Sequence, residues 1–203
     1  MKPLLLIICL LLPFFDTSPM ECGKKIEVHA EQEKVLIVYL SRTQNTKVIA
    51  QMIQKYVGGK MVELELEDPY PENYQEIVDQ VHNENETEYL PPLKTQIDNI
   101  DQYDIIFISF PTWDMQLPPP MKSFLHQTDL SGKTNIPFNT NGGYGVGTSF
   151  ETVKKLCPES EVLEGFSIKG GLERDGILLA IKEERAKEAE RKVCQWLQEI
   201  KNI

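Results

Sequence analysis

Two short runs of apolar residues without a single charge constrain the fold of this chain more than any other feature. Residues 35–40 read VLIVYL, and residues 105–110 read IIFISF. Continuous apolar runs of this length are typical of strands that are buried on both faces, as in a parallel sheet. Parallel neighbours cannot be joined by a tight turn, so helical crossovers are expected between them.

Strand-like and helical patterns alternate from residue 31 to residue 203, with no repeat and no long linker. This pattern predicts one domain over residues 31–203, an α/β fold with a three-layer, doubly wound, five-stranded parallel sheet. The strands are predicted at 35–40, 61–66, 105–110, 134–138 and 162–168. The helices are predicted at 46–57, 71–86, 149–156 and 178–200.

Charge and composition exclude two classes of function. The chain has 21 Lys and Arg against 31 Asp and Glu, a net charge of -10, which argues against neutralising nucleic-acid phosphates. Its three histidines are scattered, and its four cysteines include no C-x-x-C pair. Neither a nucleic-acid partner nor a metal site is therefore predicted.

Residues 1–30 are predicted to be a signal peptide and a disordered lead-in. Lys2 precedes an apolar run that stops after about 12 residues, short of the roughly 20 that span a bilayer. Export to a periplasmic or extracellular space is expected, with membrane association only through this segment if it is not cleaved. The alternative is that Met20 is the true start and the protein is cytoplasmic. In an exported chain Cys157 and Cys194 could form a disulfide, and two separate buried thiols are the alternative.

Polar or glycine-rich turns follow three of the predicted strands, at the sheet edge where doubly wound folds bind ligands. The first turn leads into a helix whose N-terminal N–H groups could hold a phosphate, although Asn45 or Thr46 could also simply cap that helix. Its candidate binding residues are Ser41, Arg42, Thr43, Gln44, Asn45 and Thr46.

The other two turns could hold a flat ligand. In the second, Trp113 could stack on a ring or pack as local core. In the third, glycines let the backbone approach a ligand, although loops also collect glycine for turn geometry. The candidates are Pro111, Thr112, Trp113 and Asp114, followed by Asn139, Thr140, Asn141, Gly142, Gly143, Tyr144 and Gly145.

Together the three turns resemble the cofactor loops of flavodoxin-like proteins. Residues 39–46 (YLSRTQNT) are similar to the phosphate loop, and residues 110–113 (FPTW) and 139–145 to the two loops around the flavin ring. The resemblance spans about residues 33–203 and implies strand order 2-1-3-4-5 and noncovalent FMN. Gln44 stands where many flavodoxins have Gly, and Asp114 and Met115 stand where relatives often have Trp and Gly.

The resemblance implies that the phosphate lies in the 41–46 loop and the ring between the other two loops, with Tyr144 as a second stacking residue. It implies an electron carrier that works with a redox partner protein or a small electron acceptor. In so acidic a chain, a low potential is expected for the second reduction of FMN. Two alternatives are an NAD(P)H-dependent FMN oxidoreductase acting on quinones or related acceptors, and a non-catalytic FMN-binding module.

Overall fold

The computed structural model describes residues 34–201 and gives eleven main elements. The strands are β1 Val35–Tyr39, β2 Lys60–Glu63, β3 Ile105–Pro111, β4 Thr134–Asn141, β5 Glu161–Val162 and β6 Phe166–Lys169. The helices are α1 Asn45–Val57, α2 Tyr74–Glu86, α3 Pro119–Gln127, α4 Ser149–Leu156 and α5 Glu183–Lys201. The predicted signal peptide lies outside the described residues. Within residues 34–201 no helix is long and apolar enough to cross a membrane.

All strands run parallel in one sheet, in the order β2-β1-β3-β4, with β5 and β6 together in the fifth position beside β4. This confirms the predicted order 2-1-3-4-5. The expected continuous strand over 162–168 is wrong, because residues 163–165 interrupt it. There the carbonyl of Glu164 accepts a hydrogen bond from the Trp196 indole N–H of α5.

Successive residues of the central strands face two separate cores, which explains the uninterrupted apolar runs. Ile37 and Phe107 pack on one side with α1 and α5 residues, including Trp196. Leu36 and Ile106 pack on the other side, in a cluster that includes residues of α3 and α4. The three-layer arrangement is therefore confirmed.

Several boundaries differ from the sequence-based expectations. Helix α3 was not predicted because it begins with Pro119 and Pro120, yet proline is tolerated in the first helical turn, where the N–H has no intrahelical partner. Strand β4 continues to Asn141, so residues 139–141 belong to the sheet and not to the third turn. Helix α2 begins at Tyr74 and is capped by the side chain of Asn73.

The last helix begins at Glu183, five residues later than the predicted start at residue 178. Residues 178–182 do not form a helix. The backbone N–H groups of Ala180 and Ile181 instead donate to the side-chain oxygen of Asn45, at 2.9 and 3.1 Å. A tertiary contact therefore holds a segment whose sequence alone favours a helix.

The two cysteines of the described chain do not pair with each other. Cys157 is a free, buried thiol, and burial raises its pKa to about 11. Cys194 belongs to a disulfide. The Cys157–Cys194 disulfide left open by the sequence is therefore excluded.

Strand β4 offers a test of how buried amides contribute to stability. Asn135 and Asn139 lie on the same face of the strand, and both are fully buried. Asn135 has no hydrogen-bond partner for either side-chain atom, whereas Asn139 donates to the Phe110 carbonyl and to the Thr112 hydroxyl. Asn135→Leu should raise the free energy of unfolding by about 1 kcal/mol, and Asn139→Leu should lower it by about 1–3 kcal/mol.

Urea denaturation of both variants, followed by far-UV circular dichroism, measures these changes. Equal losses of stability in the two variants would contradict the assignment of Asn135 as an unsatisfied buried group.

Candidate functional site

A cavity of about 140 Å³ lies at the carboxyl edge of the sheet, where residues from all three predicted turns meet. Its walls also include residues from α2 and from the segment after β6. The lining residues are Arg42, Thr43, Thr46, Tyr74, Pro111, Thr112, Trp113, Thr140, Asn141, Gly142, Gly171, Leu172 and Glu173. We call this space the edge cavity.

The first turn presents free backbone donors at the start of α1. No backbone N–H of residues 43–46 has an acceptor within residues 34–201. Gln44 precedes the helix with φ of 65°, a left-handed conformation that glycine adopts most easily. The left-handed residue is thus Gln44, at the position where the resembled loop often has glycine. These N–H groups can bind an anion.

Neither Asn45 nor Thr46 caps α1, so the simple capping alternative does not describe this turn. Gln44 is the capping residue and makes no side-chain hydrogen bond to the helix. The Ser41 hydroxyl oxygen accepts the backbone N–H of Lys47 at 3.1 Å, and its own proton remains available to a ligand. The Thr46 hydroxyl is buried and hydrogen-bonded to that of Thr140 at 2.8 Å.

Both polar atoms of the Asn45 side chain are hydrogen-bonded within the protein. Its amide nitrogen donates to the Thr43 hydroxyl and to the Leu178 carbonyl, and its oxygen accepts from Ala180 and Ile181. Because the residue is 2% exposed, only its backbone N–H is left to bind a ligand.

Arg42 bridges three segments at one wall of the cavity. Its Nε lies 2.9 Å from a Glu173 carboxylate oxygen, and its other nitrogens donate to the carbonyls of Pro71 and Glu72. The half-buried ion pair neutralises the guanidinium charge beside the cavity. Arg42 is therefore committed to protein acceptors and is not a free anion-binding group.

The second turn holds Trp113 in a fixed orientation. Trp113 and Gln116 exchange backbone hydrogen bonds around Asp114 and Met115, both of which have positive φ, as in a type I′ hairpin turn. The indole makes an edge contact with the Tyr70 ring, with centroids 5.4 Å apart. It also packs against the core cluster beneath it, as the local-core interpretation expects, and it lines the edge cavity.

The support behind Trp113 includes a buried carboxylate. The Tyr70 hydroxyl donates a hydrogen bond to Glu84, which is 4% exposed, and Glu84 also accepts from Gln80. Burial raises the pKa of Tyr70, and the neighbouring carboxylate adds to this effect, so the phenol keeps its proton. Asp114 points away from the edge cavity and accepts from Asn85 at 3.2 Å.

The third turn is hydrogen-bonded to the second. The Asn139 amide donates to the Thr112 hydroxyl, which in turn donates to the Gly145 carbonyl at 3.0 Å. Asn141 accepts the backbone N–H of Gly143 at 2.8 Å. Of the residues predicted for the third turn, only Thr140, Asn141 and Gly142 line the edge cavity, and the first two belong to strand β4. Gly143 and Gly145 do not line it.

Tyr144 does not line the edge cavity. It is 64% exposed, and its hydroxyl accepts a hydrogen bond from the Arg174 guanidinium at 3.3 Å. Of the other predicted residues, Ser41, Gln44, Asn45, Asp114 and Asn139 also support the site without lining it.

Sequence reasoning missed Tyr74 and the segment Gly171-Leu172-Glu173. A side chain at Gly171 would place its Cβ 1.9 Å from the Leu178 carbonyl oxygen, and one at Gly142 would place it 2.8 Å from the Leu172 Cδ1. Gly171 therefore permits a close approach to the backbone of residues 177–178, whereas at Gly142 the nearby atom is the end of the flexible Leu172 side chain. The pair Gly170-Gly171, directly after the fifth strand position, could have indicated from sequence that this segment lies at the site. Tyr74 lines the cavity only because helix α2 packs there, which the sequence does not indicate.

No group of side chains suited to hold a metal ion occurs in the described part of the chain. The site instead combines anion-binding backbone N–H groups with an indole and two close backbone segments. This donor set fits a phosphate ester carrying a flat ring.

Comparisons with known proteins agree with the fold. A flavoprotein structure from Bacteroides uniformis is 23% identical to this chain, with a TM-score of 0.66. The match covers 81% of this chain and 97% of the Bacteroides uniformis chain. A flavoprotein structure from Bacteroides eggerthii is 25% identical, with a TM-score of 0.63. The match covers 81% of this chain and 96% of the Bacteroides eggerthii chain. The structure of a flavoprotein from Lactobacillus acidophilus in complex with FMN is 19% identical, with a TM-score of 0.59. The match covers 68% of this chain and 93% of the Lactobacillus acidophilus chain.

A search of the curated proteins found no match. The family model described as Flavodoxin, however, matches residues 34–183, which is most of the chain and includes the three turns and the segment after β6. The protein therefore belongs to the flavodoxin family.

Proposed function

We propose that this chain binds FMN noncovalently at the edge cavity and carries electrons in redox reactions. The observation that carries the proposal is the set of backbone N–H groups at residues 43–46, which have no acceptor in the described chain and stand at the N-terminus of α1. A helix N-terminus with free donors stabilises a phosphate through hydrogen bonds and through its dipole. The Ser41 hydroxyl adds a side-chain donor.

In this proposal the flavin ring lies between the Trp113 indole and the backbone of residues 140–142. The Leu172–Glu173 segment forms a further wall of the edge cavity, and it is held to Arg42 by an ion pair that leaves about a fifth of each side chain exposed.

FMN supplies the redox chemistry when it is bound, and the chain determines where the ring lies and which charges surround it. The net charge of -10 opposes a further negative charge on the ring, which favours a low potential for the second reduction. Met115 and Tyr144, 46% and 64% exposed, flank the loops around the cavity. They leave a rim that a redox partner protein or a small acceptor can reach.

Binding of the phosphate is the first point to test. FMN should bind about 10- to 100-fold more tightly than riboflavin, because the phosphate gains charge-assisted hydrogen bonds that riboflavin lacks. The measurement is quenching of Trp113 fluorescence in a Trp196→Phe background, since the chain has only two tryptophans. Equal affinity for the two flavins would contradict the assignment of the 41–46 loop.

The electron-carrier role makes a second prediction. FMN-loaded protein mixed with NADPH should oxidise it no faster than the same concentration of free FMN, because the only cation lining the edge cavity in the described chain, Arg42, is already paired with Glu173. The decrease in absorbance at 340 nm measures the rate. Rapid, protein-dependent oxidation would instead favour the NAD(P)H-dependent oxidoreductase.

A further inference from the structure

The cysteines of this chain restrict which residue can be bonded to Cys194. The chain contains four of them, at positions 9, 22, 157 and 194. Within residues 34–201, Cys157 is a free thiol, whereas Cys194 is disulfide-bonded. Cys9 and Cys22 lie outside the described residues. The partner of Cys194 is therefore one of these two.

Cys194 lies near the C-terminal end of α1. Asn45, at the start of α1, accepts the backbone N–H of Ile181, just before α5. Tyr56, in the last turn of α1, donates to Glu190 of α5 at 3.1 Å. The two helices thus run side by side in the same direction. Cys194 follows Glu190 by one turn on the same face, is 5% exposed, and belongs to the same core cluster as Tyr56.

The described chain enters the sheet at this same end of the molecule. Gly59 lies just beyond the end of α1, and a Cβ on it would be 2.4 Å from the carbonyl oxygen of Val35. Val35 is the first residue of β1, and Lys34 is the first described residue. Cys194 and the start of β1 therefore lie at the amino edge of the sheet, opposite the edge cavity.

The segment ahead of β1 is long enough to reach Cys194. Residues 23–34 connect Cys22 to β1. A stretch of about 12 residues spans at most roughly 40 Å. A disulfide requires the Cα atoms of its two cysteines to be about 4.4–6.8 Å apart. Chain length therefore does not prevent a bond between Cys22 and Cys194.

Both interpretations of the N-terminus that the sequence leaves open remove Cys9 and keep Cys22. A signal peptide includes the apolar run that contains Cys9, and cleavage after the small residues Thr17 and Ser18 retains Cys22. A chain that starts at Met20 also lacks Cys9 and contains Cys22. The partner that remains in either case is Cys22.

We propose that Cys22 and Cys194 form a structural disulfide, which ties the segment ahead of β1 to α5. Such a bond persists in an oxidising compartment, which agrees with the export expected from the sequence. On formation the two thiols lose two protons and two electrons in total, and a disulfide oxidant takes them up and leaves as two thiols. The bond closes a loop over residues 22–194, so it restricts the unfolded chain along most of its length.

Peptide mapping tests the pairing directly. The full chain is equilibrated with oxidised and reduced glutathione, its remaining thiols are alkylated in denaturant, and its tryptic peptides are identified by mass spectrometry. We expect residues 193–201, which contain Cys194, to be linked to the peptide that contains Cys22 and ends at Lys24. Cys157 should be alkylated and linked to nothing.

Two variants distinguish Cys22 from Cys9, because no Lys or Arg separates these cysteines in the sequence. Cys9→Ser should keep the link to residues 193–201. Cys22→Ser should abolish the link and leave Cys194 open to alkylation. A link that survives Cys22→Ser would overturn the proposal.

Thermal unfolding with and without a phosphine reductant measures what the bond contributes to stability. The reductant should lower the Tm of the wild type by about 5–15 °C, because it opens the loop over residues 22–194. It should change the Tm of Cys22→Ser by less than about 2 °C, because that variant has no loop to open. Cys157→Ser is the matched control, since it removes the free thiol and should keep the full loss on reduction.

The outcomes separate this inference from the proposed function. Alkylation of Cys194 in the unreduced wild type, a link from Cys194 to Cys157 or to a second chain, or a Tm that does not respond to the reductant would each overturn the inference. Within residues 34–201, no residue of α5 lines the edge cavity. Reduction at a temperature where the protein stays folded should therefore leave the Kd for FMN within about twofold. Failure to bind FMN while the Cys22–Cys194 link is intact would overturn the proposed function alone.

Discussion

The Asn45 amide is the contact on which the arrangement of the site depends. It lies at the first residue of α1, donates to Thr43 and to the Leu178 carbonyl, and accepts two backbone N–H groups from residues 180–181. One buried side chain thus joins the anion-binding turn to the segment that follows the fifth strand position. The Asn45 oxygen accepts from residues 180–181, and the backbone N–H groups of residues 43–46 have no acceptor in the described chain.

Trp113 and the Arg42–Glu173 ion pair form walls of both the edge cavity and a second cavity of about 260 Å³ against α2. The edge cavity is bounded by hydroxyls, backbone and a helix N-terminus, which suits a phosphate and a ring held between close segments. Three aliphatic side chains of α2 bound the second cavity.

The sequence was sufficient to predict the parts of the fold that depend on local pattern. The runs at 35–40 and 105–110 predicted strands buried on both faces, and the three turns converge as the parallel topology requires. The parts that depend on tertiary contact were not predictable in the same way. Residues 178–182 have a helical sequence pattern but do not form a helix, because Asn45 accepts backbone N–H groups of this segment. Tyr74 lines the cavity only because α2 packs there. Trp113 was placed correctly at the edge, but its contact with Tyr70 and the second cavity behind it have no signature in the sequence.

The most direct test of the FMN site is a two-dimensional NMR titration of the isotopically labelled protein with FMN. We expect the largest changes in amide chemical shift at residues 43–46, where the N–H groups have no acceptor in the described chain. Smaller changes are expected at Gly142 and Gly171, on opposite sides of the edge cavity. Changes confined to other regions, such as the outer face of α5, or no saturable change at residues 43–46, would contradict it.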